Sequence, residues 1–518
     1  MNLLRIKLLN KYKNFPKNSE FTFNDSKILA VVGVNGSGKS IFMEVIINIF
    51  MDIYAKLNKH KVFLNLEYEI EYSLVPNTFM YSVVLQKNSD ISIEKLNEIV
   101  VKAKSGKDFF IFQIYYKNHF GELTKLNINA KEMVLFLPAS LVVYSSGENE
   151  TISNELLRYR LINQNKSLNR LFKQNEYEDL DDFKMKLEYV HNNYRSILIL
   201  SMLLFENDKI RKLKELIKIK ELHSIRIKIN FQQRGINRID LPPKEIYDIR
   251  KLIKYSGVEL DETEFFDGLY ELNFENKYEM INEDYLSDPK NLYRTFEYLE
   301  NLNLLKISKK KRKQIENELE YSIKDLHSYY SNENKVFEIK NIVMKNNDNN
   351  FFSLSGLSDG EYQMLVIMSL LLIHDKDNTL FILDEPDTHF NPEWKAKFIS
   401  LLSIMKSDNS QSIISTHNPE VLTDIKSEDI ILLKEAKVSS VDLNTFGTNP
   451  NIIASNLFNK NNTISDSAKK EYDKYLNLIN AEESTTELEI IGNEIMDKLG
   501  NSSERMILLN KIFKKQRK

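Results

Sequence analysis

The segment Gly33-Val34-Asn35-Gly36-Ser37-Gly38-Lys39-Ser40 constrains this chain more than any other, because of what flanks it. Before it, residues 28–32 form a compact apolar run of the buried-strand type; after it, Phe42, Val45, Ile46 and Ile49 recur at helical spacing. A glycine-rich loop leading from strand into helix is the context that makes a phosphate-binding loop. Such a loop offers consecutive backbone N–H groups, and the helix opening at Gly38 adds its positive dipole end. Lys39 is expected to reach the β- and γ-phosphates of ATP and to act in catalysis, and the Ser40 hydroxyl to ligate Mg²⁺. Asn35, Gly36, Ser37, Gly38 and Ile41 complete the expected nucleotide contacts. The chain has 14 glycines in 518 residues, yet Gly33, Gly36 and Gly38 fall here and Gly356 and Gly360 beside a second motif. Clustering of that kind marks backbone geometry that other residues supply poorly.

Two further segments extend the site. Leu380-Phe381-Ile382-Leu383-Asp384-Glu385-Pro386 is an apolar strand ending in two carboxylates, at the strand end where α/β sheets place ligands. Asp384 is expected to hold Mg²⁺ and Glu385 to polarise the attacking water as general base. The competing assignment is a helix-capping Asp-Glu pair. Another apolar strand, residues 412–415, leads to His417, which is expected to meet the γ-phosphate or the attacking water. His374 and His389 lack that context and are expected to be structural. Leu357-Ser358-Asp359-Gly360-Glu361 opens a helix with apolar Met364, Leu365, Ile367, Met368 and Leu371, so Ser358 and Gly360 are placed to bind phosphate. The alternative for Ser358 is a helix cap alone.

Strand–helix alternation implies an α/β fold with a parallel sheet. Residues 1–147 are expected to form one lobe, with an antiparallel sheet over about 62–143 that includes strands at 81–85 and 109–116. Residues 148–330 are expected to be a mostly helical inserted lid or arm, broken by a strand at 224–229 with basic residues on one face. Residues 331–448 form the second lobe and 449–518 a helical extension. A hydrophobic share of 42% and a charged share of 28% suit a globular chain. No apolar run reaches the roughly 18 residues of a membrane span, and the start lacks the order of a secretory signal. The absence of cysteine fits a reducing cytosol, so a cytoplasmic location is expected. At net charge −3, DNA binding requires local basic patches. The candidates are Lys309-Lys310-Lys311-Arg312-Lys313 and Lys514-Lys515-Gln516-Arg517-Lys518, against which stands a solvated helix face or a tail.

On these residues the chain resembles the ABC-type branch of P-loop ATPases that includes Rad50, SMC and RecF proteins and the overcoming-lysogenization-defect nucleases. More closely, residues 3–6, the phosphate loop, Tyr144-Ser145-Ser146-Gly147-Glu148-Asn149-Glu150, the Ser358 motif and Asp384-Glu385-Pro386-Asp387-Thr388-His389-Phe390-Asn391-Pro392 are similar to the restriction-system-associated AAA family ATPases of bacteria. The resemblance implies an ATPase of anti-phage defence that dimerises through an ATP sandwich, with higher oligomers open. DNA, an effector nuclease or a restriction-system subunit are the partners it implies. Ser358 and Gly360 would then serve the ATP of a second subunit, and Asp387 would lie at the subunit contact. Asp359 departs from the glycine of transporter-like signatures. Residues 144–150 would act as a lid, as a γ-phosphate sensor, or in packing.

Three other classes fit the residues less well. A self-contained nuclease would need an Asp-x-Asp strand after His417, and Asp424, Asp429 and Asp442 form none; the HNH pattern is absent too. A RecF- or cohesin-like repair machine of the SMC type would need sustained heptads, which 150–330 lack. A transport ATPase would carry a far shorter insertion.

Overall fold

The structure is a computed structural model. It describes residues 1–58, 65–88, 96–118, 120–146, 156, 185–190, 192–231, 241–258, 266–274, 288–308, 310–312, 314, 335–458 and 465–516. These fall into two units, Met1–Gly447 and Thr448–Lys518.

The apolar runs that lead into the motifs lie side by side in one sheet. Its strands are β3 (Ile28–Val32), β8 (Ser140–Ser145), β9 (Lys186–Tyr189), β14 (Thr379–Asp384), β15 (Gln411–Ser415), β16 (Ile430–Lys434) and β17 (Lys437–Ser439). The order is β17-β16-β3-β15-β14-β8-β9, with every pairing parallel except that of β17. β3, β8, β14 and β15 are buried at every position, as strands covered on both faces must be. Parallel register aligns Asp384 with Ser415 on one side and Ser145 on the other, and Ser415 with Val31. Loops far apart in sequence therefore open at one level, at the carboxyl edge of the sheet. The helix Lys39–Leu57 follows β3 and buries Phe42, Val45, Ile46 and Ile49, the positions its spacing predicts.

An antiparallel sheet joins β1 (Asn2–Leu8), β2 (Glu20–Thr22), β4 (Tyr68–Leu74), β5 (Ile99–Ser105), β6 (Phe110–Lys117) and β7 (Leu123–Lys125) in the order β2-β1-β4-β5-β6-β7. In β4 the alternation is plain: Tyr68, Ile70 and Tyr72 are buried, while Glu69 and Glu71 pair outward with Arg5, Lys104 and Lys102. Exposed ion pairs contribute about 0–1 kcal/mol each, so the buried face holds this sheet. The strand expected at 81–85 is instead part of a helix, Thr78–Lys87. Asn77 caps it, its side chain accepting from the Phe79 and Met80 amides, a contact worth about 1 kcal/mol that outweighs local β preference.

A third sheet runs β11-β10-β12-β13, from β10 (Ile219–Ile229), β11 (Gly268–Asn273), β12 (Phe337–Asn346) and β13 (Phe351–Ser353). Ile225, Ile227 and Ile229 turn inward while Arg226 and Lys228 are exposed, as expected. The strand starts earlier than expected, at Ile219, and β11 lies where helix was expected. β10 pairs with β12 from Ile219 to Ile229, β9 edges the central sheet, and the helix Asn192–Leu203 packs on the helix Asp359–Ile373. The described part of 148–330 is thus woven into the nucleotide-binding unit rather than held apart as an arm. Cross-strand ladders decide this, and local periodicity does not reveal them.

The first basic run is not a uniform solvated comb. Arg312 is 8% exposed and its Nη1 donates to the Leu304 carbonyl at 3.4 Å, while Lys309 and Lys313 lie outside the described residues.

The second unit is helical, as expected: Pro450–Phe458, Asp466–Ala481, Thr485–Lys498 and Ser503–Gln516. Tyr475, Ile479, Leu488, Ile495, Leu508 and Ile512 form its core. Lys515 donates to the carbonyls of Asn480 and Glu482 at 2.8 and 2.9 Å, so this charge ties helices together. Arg517 and Lys518 lie outside the described residues. Among the described residues no helix is long and apolar enough to cross a membrane.

Candidate nucleotide-binding site

The loop after β3 turns on two glycines. Gly33 has φ +153°, and a Cβ there would stand 2.4 Å from the Leu433 carbonyl oxygen; Gly38 has φ +105° at the cap of the following helix. Neither position accepts a side chain without strain. Val34, Asn35 and Gly36 form the exposed tip. Ser37 is buried and its amide closes a turn on the Val34 carbonyl at 3.1 Å, so it shapes the loop. Lys39 is 6% exposed, with Nζ donating to the carbonyls of Gly33 at 2.9 Å and Val34 at 3.4 Å. Burial lowers its pKa, against the pull of Glu385 and Asp384. The Ile41 side chain packs against the core, which leaves its backbone in the first helical turn as its contribution.

Asp384 and Glu385 meet this loop from the end of β14, which β15 separates from β3. The Ser40 hydroxyl donates to Asp384 Oδ2 at 3.3 Å, across 344 positions of chain. A hydroxyl and a carboxylate converging at a strand end are an all-oxygen donor set, which fits Mg²⁺ completed by phosphate oxygens and water. Glu385 adopts φ +49°, a left-handed backbone unusual for a glutamate. His417 Nδ1 stands 3.5 Å from Glu385 Oε1, at the long limit of a hydrogen bond. His417 is the main influence holding the Glu385 carboxyl below its ordinary range, and Glu385 raises the imidazole in return.

The sign of the pH dependence follows. With Glu385 as general base, turnover is expected to fall as pH drops through its lowered pKa, because its carboxylate is then protonated. His417→Ala removes the group that lowers it, so the acid limb of the kcat–pH profile moves to higher pH. An unmoved limb would show that the contact has no electrostatic effect.

Asp387 departs from its expected place at a subunit contact. It is 1% exposed, accepts from Thr416 Oγ1 at 2.9 Å and from the Asn418 side chain, and so anchors the loop that carries His417. Burial raises its pKa in spite of these donors.

Ser358 caps the helix Asp359–Ile373 in a capping box: Glu361 N–H donates to its Oγ, and the Ser358 amide donates to Glu361 Oε2 at 2.8 Å. Ser358 and Asp359 are nonetheless exposed, so capping leaves this helix end accessible. Gly360 is required by packing: a Cβ there would lie 2.6 Å from the His389 backbone oxygen. Alanine normally strengthens a helix, yet Gly360→Ala is expected to cost about 1–3 kcal/mol, read as a lowered melting temperature. Unchanged melting would show that the loop carrying His389 yields.

Gln363 ties this helix to two other elements, with Nε2 donating to Tyr144 Oη at 3.2 Å and Oε1 accepting from the His389 amide at 3.1 Å. A cavity of about 300 Å³ opens beside it, lined also by Ser146, Arg195, Asp359 and Tyr362. Arg195 Nη2 donates to the Ser145 carbonyl at 3.2 Å, and its guanidinium lies 5.3 Å from the Tyr144 ring centroid. Tyr144, 1% exposed, therefore packs; residues 147–150 lie outside the described residues. His374 stacks edge-on against Tyr293 and is structural, whereas His389 lines the cavity. Arg195, Gln363 and Ser415 escaped the sequence reading because no motif singles them out.

Strand order, phosphate loop, strand-end carboxylates and the capped signature helix define a class: a P-loop ATPase core of the ABC type. Comparison with known proteins gives partial matches. Residues 228–423 match the family described as "AAA domain, putative AbiEii toxin, Type IV TA system", a span that holds the Ser358, Asp384 and His417 motifs. The chain is 32% identical over 122 residues to the retron Vc95 probable ATPase of Vibrio cholerae serotype O1 biovar El Tor, covering 21% of this chain and 23% of that protein. It is 28% identical over 181 residues to the retron Ec83 probable ATPase of Escherichia coli, covering 32% and 33%. The matched stretches thus span only about a quarter to a third of these relatives. Among solved structures, the Smc head domain of Pyrococcus furiosus bound to the C-terminal domain of ScpA aligns over 86% of this chain and 96% of that one, at 15% identity and a TM-score of 0.31. So low a score adds nothing to the assignment.

Proposed function

We propose that this chain binds and hydrolyses ATP and dimerises on it, as the regulatory ATPase of a bacterial anti-phage or restriction system in the cytoplasm. The observation that carries this is the convergence, at one sheet edge, of Lys39 and Ser40 with Asp384, Glu385 and His417. The triphosphate lies along residues 33–40, with Lys39 against the β- and γ-phosphates. Glu385 accepts the proton of the water that attacks the γ-phosphorus, and ADP and phosphate leave. Ser40 and Asp384 would hold Mg²⁺, which would supply neutralisation of the phosphate charge. The exposed residues Ser358 and Asp359 at the N-terminus of the helix Asp359–Ile373, with the buried backbone of Gly360 behind them, face the ATP of a second copy. The retron relatives support a defence setting, with DNA or an effector protein as partner.

The test is phosphate release from ATP with Mg²⁺ and with EDTA, in the presence of duplex DNA, single-stranded DNA or phage lysate. Absence of Mg²⁺-dependent release under all conditions ends the proposal. Stimulation by DNA identifies a nucleic-acid trigger, and stimulation by lysate alone a protein one.

A further inference from the structure

We infer that Ser415 is a positioning residue of this site, whose single hydroxyl orients both carboxylates at the end of β14. The inference rests on the ATP-hydrolysing function proposed above and extends it to a residue on another strand. Ser415 ends β15 and stands opposite Asp384 in the parallel register. Its Oγ donates to Asp384 Oδ1 at 2.5 Å and accepts from the Glu385 amide at 2.9 Å. A hydroxyl has one proton and two lone pairs, so it serves both neighbours at once.

Two consequences follow from that geometry. Engaging Oδ1 leaves Asp384 Oδ2 turned to Ser40 Oγ, and these are the oxygens expected to hold the divalent cation. Holding the Glu385 amide supports a left-handed backbone, φ +49°, that a glutamate adopts only at an energetic cost. That turn carries Glu385 out of the strand direction and toward His417. Ser415 is fully buried, so water does not replace its hydroxyl. Alanine at this position takes a donor from Asp384 and the acceptor from the Glu385 amide in one change.

The same strand supplies the control. Ser412 is equally buried, and its Oγ has no hydrogen-bond partner among the described residues. The full chain and its Ser415→Ala, Ser412→Ala and Ser415→Thr variants are compared in three measurements. These are Mg²⁺-dependent ATP turnover, Mn²⁺ binding in the presence of ADP by electron paramagnetic resonance, and binding of fluorescent ADP in EDTA.

For Ser415→Ala the expected result is a kcat lower by about 10- to 100-fold, the loss of a hydrogen bond to a charged group. Its half-saturating Mn²⁺ rises several-fold, and metal-free nucleotide binding stays at the wild-type value. Ser412→Ala matches wild type throughout, and Ser415→Thr, which keeps the hydroxyl, returns Mn²⁺ affinity toward wild type. The inference is overturned if Ser415→Ala keeps wild-type turnover and Mn²⁺ binding. It is also overturned if metal-free nucleotide binding and turnover fall together, which marks lost structure. A Ser415→Thr variant that melts like wild type yet fails to recover Mn²⁺ overturns it too. Glu385→Gln, run alongside, keeps the two ideas apart. Wild-type turnover that does not depend on Glu385 removes the proposed catalytic role of Glu385, while the Mn²⁺ measurement still decides the case of Ser415.

Discussion

Glu385→Gln is expected to slow ATP turnover by about 10²–10⁴-fold, the range attributed to a positioned general base. The substitution keeps the size and shape of the side chain and removes the charge that takes up the proton of the attacking water. The phosphate loop loses no hydrogen bond, because the Glu385 backbone bonds to Ser415 and Thr388 and its side chain faces His417; only its electrostatic pull on Lys39 is lost. Nucleotide binding therefore survives, and ATP accumulates uncleaved. If the Ser358 end of one copy closes over the ATP of another, the variant populates a stable dimer. Light scattering after size exclusion in saturating MgATP measures this. A Glu385→Gln protein as monomeric as wild type without nucleotide would sink the trans-acting site, and turnover near the wild-type rate would dismiss Glu385 as the base.

The second large effect is expected at Lys39. Lys39→Ala removes a buried amine aimed at the loop, and the loss of a charge-assisted contact to phosphate lowers ATP affinity by about 10- to 100-fold. The fold itself should hardly suffer. Burial already disfavours the charged amine, which is why its pKa is lowered, so its removal relieves a desolvation cost while forfeiting hydrogen bonds to Gly33 and Val34. The melting temperature without nucleotide is expected to stay close to wild type. What shrinks is the upward shift that ATP produces: at a hundred times the wild-type Kd it corresponds to about 2.7 kcal/mol, and it falls to about 0.4–1.4 kcal/mol once affinity drops 10- to 100-fold. Thermal melts with and without MgATP measure both at once. A full ATP-induced shift in Lys39→Ala would place the triphosphate elsewhere.

Much of this site was legible in the residue order, because its chemistry is carried by short runs. A buried strand, a glycine-rich turn and a helix are local events, and so are two carboxylates after four apolar residues. Strands β3, β14 and β15 and the helix that follows β3 came from hydrophobic patterning, which depends only on near neighbours. Other features needed three dimensions. The helix Thr78–Lys87 carries aromatic and branched residues that read as strand until the Asn77 cap is seen in place. The strand β10 is recognisable from Ser224 onward, but its earlier start and its pairing with β12 join residues more than a hundred positions apart. Asp387 follows the strand-end carboxylates closely enough to suggest a contact surface, and only the fold shows it turned inward to Thr416 and Asn418.

The sequence by itself determined which groups are available: a glycine-rich loop with a lysine, two carboxylates, a histidine and a capped helix end. Tertiary structure alone decided which groups act together, because parallel register sets Asp384 level with Ser415 and Ser145. A hydroxyl on one strand can orient a carboxylate on the next only when the sheet holds both at the same height, and no local pattern encodes that height.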